Sequence, residues 1–138
     1  MAVAQEFVGR GGVLIIEVTG AASTGNAGIG AFANPEGAPL LILRATWHVL
    51  TPSTGAANIS IGVAADDESA ATDIINALAV NGAITGKVYN GHAMQNTAKT
   101  EITAPVIWAA DKFLTFTGSG STVDLDARMY VEFIRLAE

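Results

Sequence analysis

The chain contains no cysteine and only two histidines, and these absences remove several kinds of chemistry. Without cysteine it has no disulfide and no thiolate metal site. His48 and His92 are too few for the three-histidine metal site of a cupin-type enzyme, and neither lies in an H-E-x-x-H pattern. No serine lies in the G-x-S-x-G form of a nucleophile elbow. We therefore expect no enzymatic activity and no cofactor; a transition metal bound to the purified protein would reopen the enzyme alternative.

Charge is also scarce. Charged residues make up only 14% of the chain, against about 25% in a typical soluble domain, which predicts that part of the exterior is covered in an assembly. The seven basic residues are scattered and the net charge is −6, so we expect no binding to nucleic acid or to anionic membranes. No secretion signal is recognisable and no apolar stretch approaches 18 residues, so we expect a soluble protein without a membrane span.

What the chain does have is a series of short β-type runs, separated by segments rich in Gly, Ala, Ser and Thr. Five runs are rich in β-branched, aliphatic or aromatic residues, and the first of them is too short for a good helix. They are Gly12–Thr19, Pro39–Leu50, Ala57–Val63, Lys112–Thr117 and Ala127–Leu136. Three weaker candidates are Ile29–Phe32, Ile84–Tyr89 and Glu101–Trp108. The series predicts seven or eight strands.

Period-two alternation assigns faces to the clearest strands. In the second run it predicts one apolar face, made of Leu41, Leu43, Ala45, Trp47 and Val49. In the last run it predicts that Met129, Val131 and Phe133 share a face. The turn residues 51–55 predict an antiparallel hairpin between the second and third runs.

One segment has a different spacing. Ala71, Ile74, Ile75 and Leu78 recur at helical intervals after the cap-type residue Asp66, which predicts one short helix over residues 69–79. With alternating β and α units otherwise missing, the pattern predicts an all-β fold. The expected architecture is an antiparallel β-sandwich, jelly-roll-like or Greek-key. Residues 1–11 are expected to form a flexible N-terminal arm and residues 12–138 a single sandwich domain.

Two features allow a binding interpretation beside an ordinary one. The acidic run 66–68 could hold calcium, but it lacks the EF-hand spacing, and capping of a helix is the preferred interpretation. Trp108 could stack on a sugar ring, but core packing is the usual role of aromatic residues on alternating strands. A carbohydrate-binding, adhesin-like sandwich therefore stays open as an alternative.

Two stretches and the last strand share one arrangement of motifs. Residues 59–78 contain a strand ending in Gly-Val-Ala, a polar stretch and an apolar turn, Asp73 to Leu78. Residues 108–121 join a tryptophan to small residues, an aromatic strand and a Gly/Ser turn, and an aromatic-rich strand follows at 127–134. These features resemble the small head-decoration proteins of tailed bacteriophages, and the resemblance covers about residues 40–136.

The resemblance implies a structural virion protein that binds the outer face of the major capsid protein shell and stabilises it. It also implies a homotrimer on the capsid exterior, without catalysis. A tail or fibre component is the alternative. The residues expected at the interfaces lie in the arm, in the loop after the first strand and on the second strand. They are Val3, Phe7, Val8, Arg10, Ile29, Phe32 and His48.

Overall fold

A computed structural model of the chain describes residues 10–20, 29–81 and 106–136, together with the backbone of 88–90. These ranges contain nine strands and no helix. The strands are β1 (Arg10–Thr19), β2 (Gly30–Ala33), β3 (Leu40–Thr51), β4 (Ala57–Ala64), β5 (Ile75–Ala79), β6 (Val88–Asn90), β7 (Val106–Trp108), β8 (Phe113–Gly120) and β9 (Asp126–Arg135). The predicted all-β class is confirmed.

The strands form two antiparallel sheets. In the five-stranded sheet, β9 lies between β1 and β3, and both β6 and β7 pair with β3. The four-stranded sheet has the order β2-β8-β4-β5. Apolar side chains from both sheets form one buried cluster, as expected for two sheets packed face to face. The molecule is therefore a β-sandwich.

The pairing also settles the topology. The first strand pairs with the last, β2 with β8, β3 with β7 and β6, and β4 with β5. The chain therefore forms a long antiparallel ribbon that folds back on itself. The ribbon is wound so that successive strand pairs lie alternately in the two sheets. Such a winding is the jelly roll, and the predicted jelly-roll-like sandwich is confirmed.

Both tryptophans lie in the core. Trp47 and Trp108 are fully buried, and the ring centroids of Trp47 and Phe116 are 6.4 Å apart across the two sheets. The indole Nε1 of Trp108 donates a hydrogen bond to the carbonyl oxygen of Lys112 at 2.9 Å. The Nε1 of Trp47 is buried and has no hydrogen-bond partner among the described residues. The two indoles are therefore equally buried, but only that of Trp108 has a hydrogen-bond partner for its N–H group among the described residues.

This difference predicts unequal costs for one conservative change. Both Trp108→Phe and Trp47→Phe remove the same volume, but only the first breaks a hydrogen bond, and the second removes a buried donor that lacks a partner. We expect Trp108→Phe to lower the free energy of unfolding by about 2 kcal/mol more than Trp47→Phe. Urea denaturation of both variants measures the difference; equal losses would contradict the assigned hydrogen bonding.

A bulge corrects the predicted face of β3. The alternation placed Leu41 and Leu43 with Trp47, but Leu41 is only half-buried and Leu43 is exposed, whereas Leu40 and Ile42 are buried. The register with β9 shifts between Ile42 and Arg44, so β3 carries one extra residue there. Because one inserted residue exchanges the faces of a strand, the buried set changes from even to odd numbers at the bulge.

The helix predicted for residues 69–79 is wrong. Residues 69–74 form no helix, and residues 75–79 are strand β5, paired with β4. A bulge places Asn76 and Ala77 opposite Ser60 alone, and Ala77 has a φ of 55°. The Ser60 hydroxyl accepts a hydrogen bond from the Ala77 amide at 3.1 Å. Because of this extra residue, the apolar residues Ile75 and Leu78 are three positions apart in the strand. The same spacing of three is typical of one face of a helix, which explains the error.

The predicted hairpin between the second and third runs is also wrong, because β3 and β4 belong to different sheets. The connection at 52–56 crosses from one sheet to the other. It is anchored by Ser53, whose amide donates to the Val80 carbonyl at 2.9 Å and whose hydroxyl donates to the Gly55 carbonyl at 2.8 Å. Turn residues thus mark a change of direction without specifying which sheet receives the next strand.

The arm boundary falls close to the start of the first strand. β1 begins at Arg10, so residues 10 and 11 of the predicted arm pair with Arg135 and Ile134 of β9. The remainder of that arm lies outside the described residues.

Candidate interaction surface

One row of aliphatic residues crosses the outer face of the five-stranded sheet. Leu41 of β3 is the cross-strand partner of both Ile107 on β7 and Ile134 on β9. Ile134 in turn lies opposite Gly11 of β1. Partners in an antiparallel pair point to the same side of the sheet, so these side chains form a continuous line.

The line extends along β1. Outward-facing residues of this strand include Val13, opposite Glu132, and Ile15, opposite Tyr130. The bulge adds Leu43 to the same side of β3, next to Arg44. We call the five exposed members the outer apolar face: Val13, Ile15, Leu43, Ile107 and Ile134.

The exposure of the outer apolar face is large for aliphatic residues on a regular sheet. Ile15 is 58% exposed, and Val13 and Ile107 are each 57% exposed. Of the six large exposed hydrophobic residues in the described ranges, only Phe32 lies outside this face. Scattered apolar residues on a surface are ordinary, but a contiguous group marks a surface that another molecule covers.

Two cross-strand ion pairs lie on the same side of the sheet. Arg44 on β3 bonds Glu132 on β9, and Arg128 on β9 approaches Glu17 on β1 at 3.7 Å. The hydrogen bond from Arg44 is the main cause that holds the pKa of Glu132 below its ordinary value. These pairs neutralise the charges that border the aliphatic residues, so the face as a whole carries little net charge.

The Glu132 pair predicts a pH dependence with a defined sign. A carboxyl whose pKa is lower in the folded than in the unfolded chain stabilises the fold above its unfolded value, about 4.3. This contribution is lost as the pH falls through the lowered folded pKa. In Glu132→Gln, the thermal unfolding midpoint should therefore fall less steeply with decreasing pH below about pH 4.3 than in the parent. Near neutral pH, the midpoint of both proteins should depend on pH in the same way. If the midpoints of variant and parent fall equally steeply below about pH 4.3, the ion pair between Arg44 and Glu132 is contradicted.

Among the described strands, the edge of this sheet is open on the β1 side. β1 is ten residues long, and in the described part of the chain no strand pairs with it on the side away from β9. A long edge strand presents unpaired amides and carbonyls to which another chain can add. The open edge and the outer apolar face adjoin at Val13 and Ile15 and form one continuous surface.

The sequence-predicted interface residues that the structure describes do not lie together. Arg10 begins β1, and His48 lies on the outer side of β3 opposite Arg128, at the other end of the sheet. Phe32 lies on β2 of the four-stranded sheet, where it packs edge-on against Phe116. Ile29 precedes β2, and its amide donates to the carbonyl oxygen of Phe116 at 3.3 Å. The other predicted members lie outside the described residues: Val3, Phe7 and Val8.

Sequence reasoning did not select the outer apolar face. The available signal was the run Val13 to Ile16, in which all four residues are aliphatic although Ile16 alone is buried. An uninterrupted aliphatic run suits a strand covered on both faces. A run of that kind in an edge strand indicates that something outside the fold covers the second face.

The other candidate sites have ordinary structural roles. The carboxylate of Asp66 accepts hydrogen bonds from the amides of Glu68 and Ser69 at 3.0 and 2.7 Å, and it closes a turn that no helix follows. A hydrogen bond from the Ser69 side chain, followed by these amides, lowers the pKa of Asp66. Trp108 is buried, so its ring offers no face to a sugar.

The described ranges contain no group of three or more histidine, aspartate or glutamate side chains placed to hold a metal ion. Among the same residues, no helix is long and apolar enough to cross a membrane.

No family model, no curated protein and no solved structure matches the chain.

Proposed function

We propose that this protein is a capsid decoration protein, which binds the outside of a shell of major capsid protein and stabilises it. The observation that carries the proposal is the outer apolar face together with the open edge of β1. A surface of this kind is unfavourable in water and favourable when a second protein covers it. Its place on the outer side of a sheet suits a broad contact rather than a small ligand.

The scaffold agrees with a structural role. Jelly rolls occur in viral capsid proteins, in lectins and in cupin enzymes, so the fold alone does not separate these classes. The lectin-like alternative needs exposed aromatic rings, and both tryptophans are buried. The resemblance of residues 59–78 and 108–121 to head-decoration proteins favours the first class over a tail or fibre component.

We propose that the outer apolar face is buried against the shell. Each large aliphatic side chain that passes from water into such a contact contributes about 1.5–3 kcal/mol when fully covered. The ion pairs between Arg44 and Glu132 and between Arg128 and Glu17 neutralise the adjacent charges, so their burial leaves no charge without a partner. The homotrimer is proposed to form through a heterologous contact that closes after three copies.

Co-sedimentation with shells tests this function. The purified chain is mixed with shells assembled from the major capsid protein of the same virus, and bound protein is measured after pelleting. Saturable binding that raises the thermal midpoint of the shell supports the proposal. Light scattering of the free and shell-released protein tests the trimer, whose mass should be three times 14.1 kDa. A stable monomer that does not pellet with the shells would refute it.

A further inference from the structure

All four arginines of the chain lie in the five-stranded sheet, and they fall into two pairs with opposite environments. Arg44 and Arg128 each have a carboxylate partner on the neighbouring strand. Arg10 and Arg135, by contrast, are direct cross-strand partners of each other. Two like charges directly opposite one another in an antiparallel pair are unfavourable.

In the part of the chain that the structure describes, the second pair forms no ion pair with a carboxylate. Within the described residues, neither Arg10 nor Arg135 has a carboxylate within ion-pair distance, 4.0 Å. By the alternation of β9, Arg135 points to the same side as the buried residues Phe133 and Val131, which is the inner side of the sheet. Both guanidinium groups therefore belong to one end of the sandwich, not to the outer apolar face.

An open cleft of about 460 Å³ lies at this end. It is lined by Arg10, Gly11, Glu36, Phe133 and Arg135. The Phe133 ring lies over Gly12, where an added Cβ would stand 3.1 Å from the ring's Cζ. Phe133 itself is only 9% exposed, so the cleft combines two guanidinium groups with the exposed edge of a largely buried aromatic ring.

Glu36 enters the cleft from a loop with a defined conformation. The Asn34 side chain accepts hydrogen bonds from the Glu36 and Gly37 amides at 2.9 and 3.1 Å, and it donates to the carbonyls of Ala38 and Trp108, each at 2.9 Å. This side chain ties the loop to the end of β7. Glu36 therefore contributes one negative charge to the lining at a fixed place.

The charges of the lining define the ligand. The lining contains two arginines and one glutamate, so its net charge is +1. One monovalent anion neutralises this charge, whereas a phosphate dianion would leave a net negative charge. Guanidinium groups bind carboxylates through paired, charge-assisted hydrogen bonds. The volume exceeds that of a bare carboxylate, and the exposed edge of the Phe133 ring can contact an apolar body attached to it.

We propose that this cleft is a binding site for a carboxylate carried on an apolar body, held between Arg10 and Arg135 against Phe133. The site is independent of the outer apolar face and does not rest on the proposed capsid function. Binding would remove the repulsion between the two arginines, so the ligand should also stabilise the fold.

Titration of the full chain with hexanoate, followed by amide chemical shifts at low ionic strength, tests the site. We expect saturable shifts at Gly11, Gly12 and Arg135, weaker binding of acetate because it lacks the apolar body, and weaker binding of inorganic phosphate. Arg135→Gln and Arg10→Gln should each weaken hexanoate binding by about tenfold or more, since each removes a charge-assisted contact. The dispersion of the amide spectrum shows whether each variant is folded.

Arg128→Gln is the matched control, because it removes an exposed arginine of the same sheet that already has a carboxylate partner. We expect it to leave hexanoate binding within twofold of the parent. Shifts that do not saturate, equal weakening by the control, or phosphate binding as tight as that of hexanoate would each overturn the proposal. None of these measurements involves a capsid, so failure here is distinguishable from failure of the decoration function.

Discussion

Replacing Ile15 with glutamate should weaken binding to the capsid shell by about 100-fold or more if the outer apolar face makes the proposed contact, because it places an unpaired charge inside that contact. Ile15 is 58% exposed and lies on the outer side of β1, opposite Tyr130. The side chain takes no part in the buried core, so Ile15→Glu should fold with a thermal midpoint close to that of the parent. Pelleting with shells at increasing protein concentration measures the affinity.

Ala79→Glu is the matched control for this change. Ala79 is exposed and ends β5, the edge strand of the opposite sheet. The substitution adds the same charge to an edge strand but not to the outer apolar face, so shell binding should stay within about twofold of the parent, a difference below 0.5 kcal/mol. If both variants bind equally well, the outer apolar face is not the contact surface.

Replacing Gly62 with alanine should destabilise the fold by about 3 kcal/mol, at the upper end of the range for overpacked cores. Gly62 lies in β4, where the segment 71–73 passes directly over the strand. An added Cβ would stand 2.7 Å from the Asp73 amide nitrogen and 2.8 Å from the Ala71 carbonyl carbon. Both are backbone atoms, so relief requires the chain to move and disturbs the hydrogen bond from the Val63 amide to the Asp73 carboxylate.

Gly30→Ala provides the comparison, because Gly30 is also a strand glycine but has room. The nearest atom to its added Cβ is a Phe32 ring carbon at 4.0 Å. Alanine there restricts the unfolded chain without a clash, so the change should be neutral or stabilise by about 0.5 kcal/mol. Chemical denaturation of the two variants gives the difference; a Gly62→Ala protein as stable as Gly30→Ala would contradict the close passage over β4.

The faces of the regular strands were predictable from sequence. In β9, Met129, Val131 and Phe133 alternate with partly exposed residues, and they are buried as the alternation predicts. In the second half of β3, Ala45, Trp47 and Val49 behave in the same way. Here pairing is regular, so the period-two rule applies without interruption.

Bulges account for the errors, because they break the local pattern and are specified by neighbouring strands. The bulge near Leu43 reverses the faces of the first half of β3, and the bulge at Ala77 imitates helical spacing. A partner strand distant in sequence decides where each extra residue is placed. The same limit applies to the connection at 52–56, since its residues favour a turn but do not select the sheet that follows.

The proposed interaction surface was harder to predict, because the exposure of an outward-facing residue depends on whether another layer covers that side of the sheet. Val13 and Ile15 resemble core residues in the sequence, but they lie on the outer side of β1 and are exposed. Phe32, one of the residues expected at an interface, is also exposed, but it lies on the other sheet. The local sequence does not specify which side of a sheet stays uncovered.

The most direct test of the central claim is hydroxyl-radical footprinting of the chain, free and bound to capsid shells, with modification measured at single side chains. If the outer apolar face is the contact surface, Val13, Ile15 and Ile107 should lose most of their reactivity on the shell, while Phe32 on the four-stranded sheet should keep its own. Unchanged reactivity of the first three residues, with protection confined to the opposite sheet, would contradict the account.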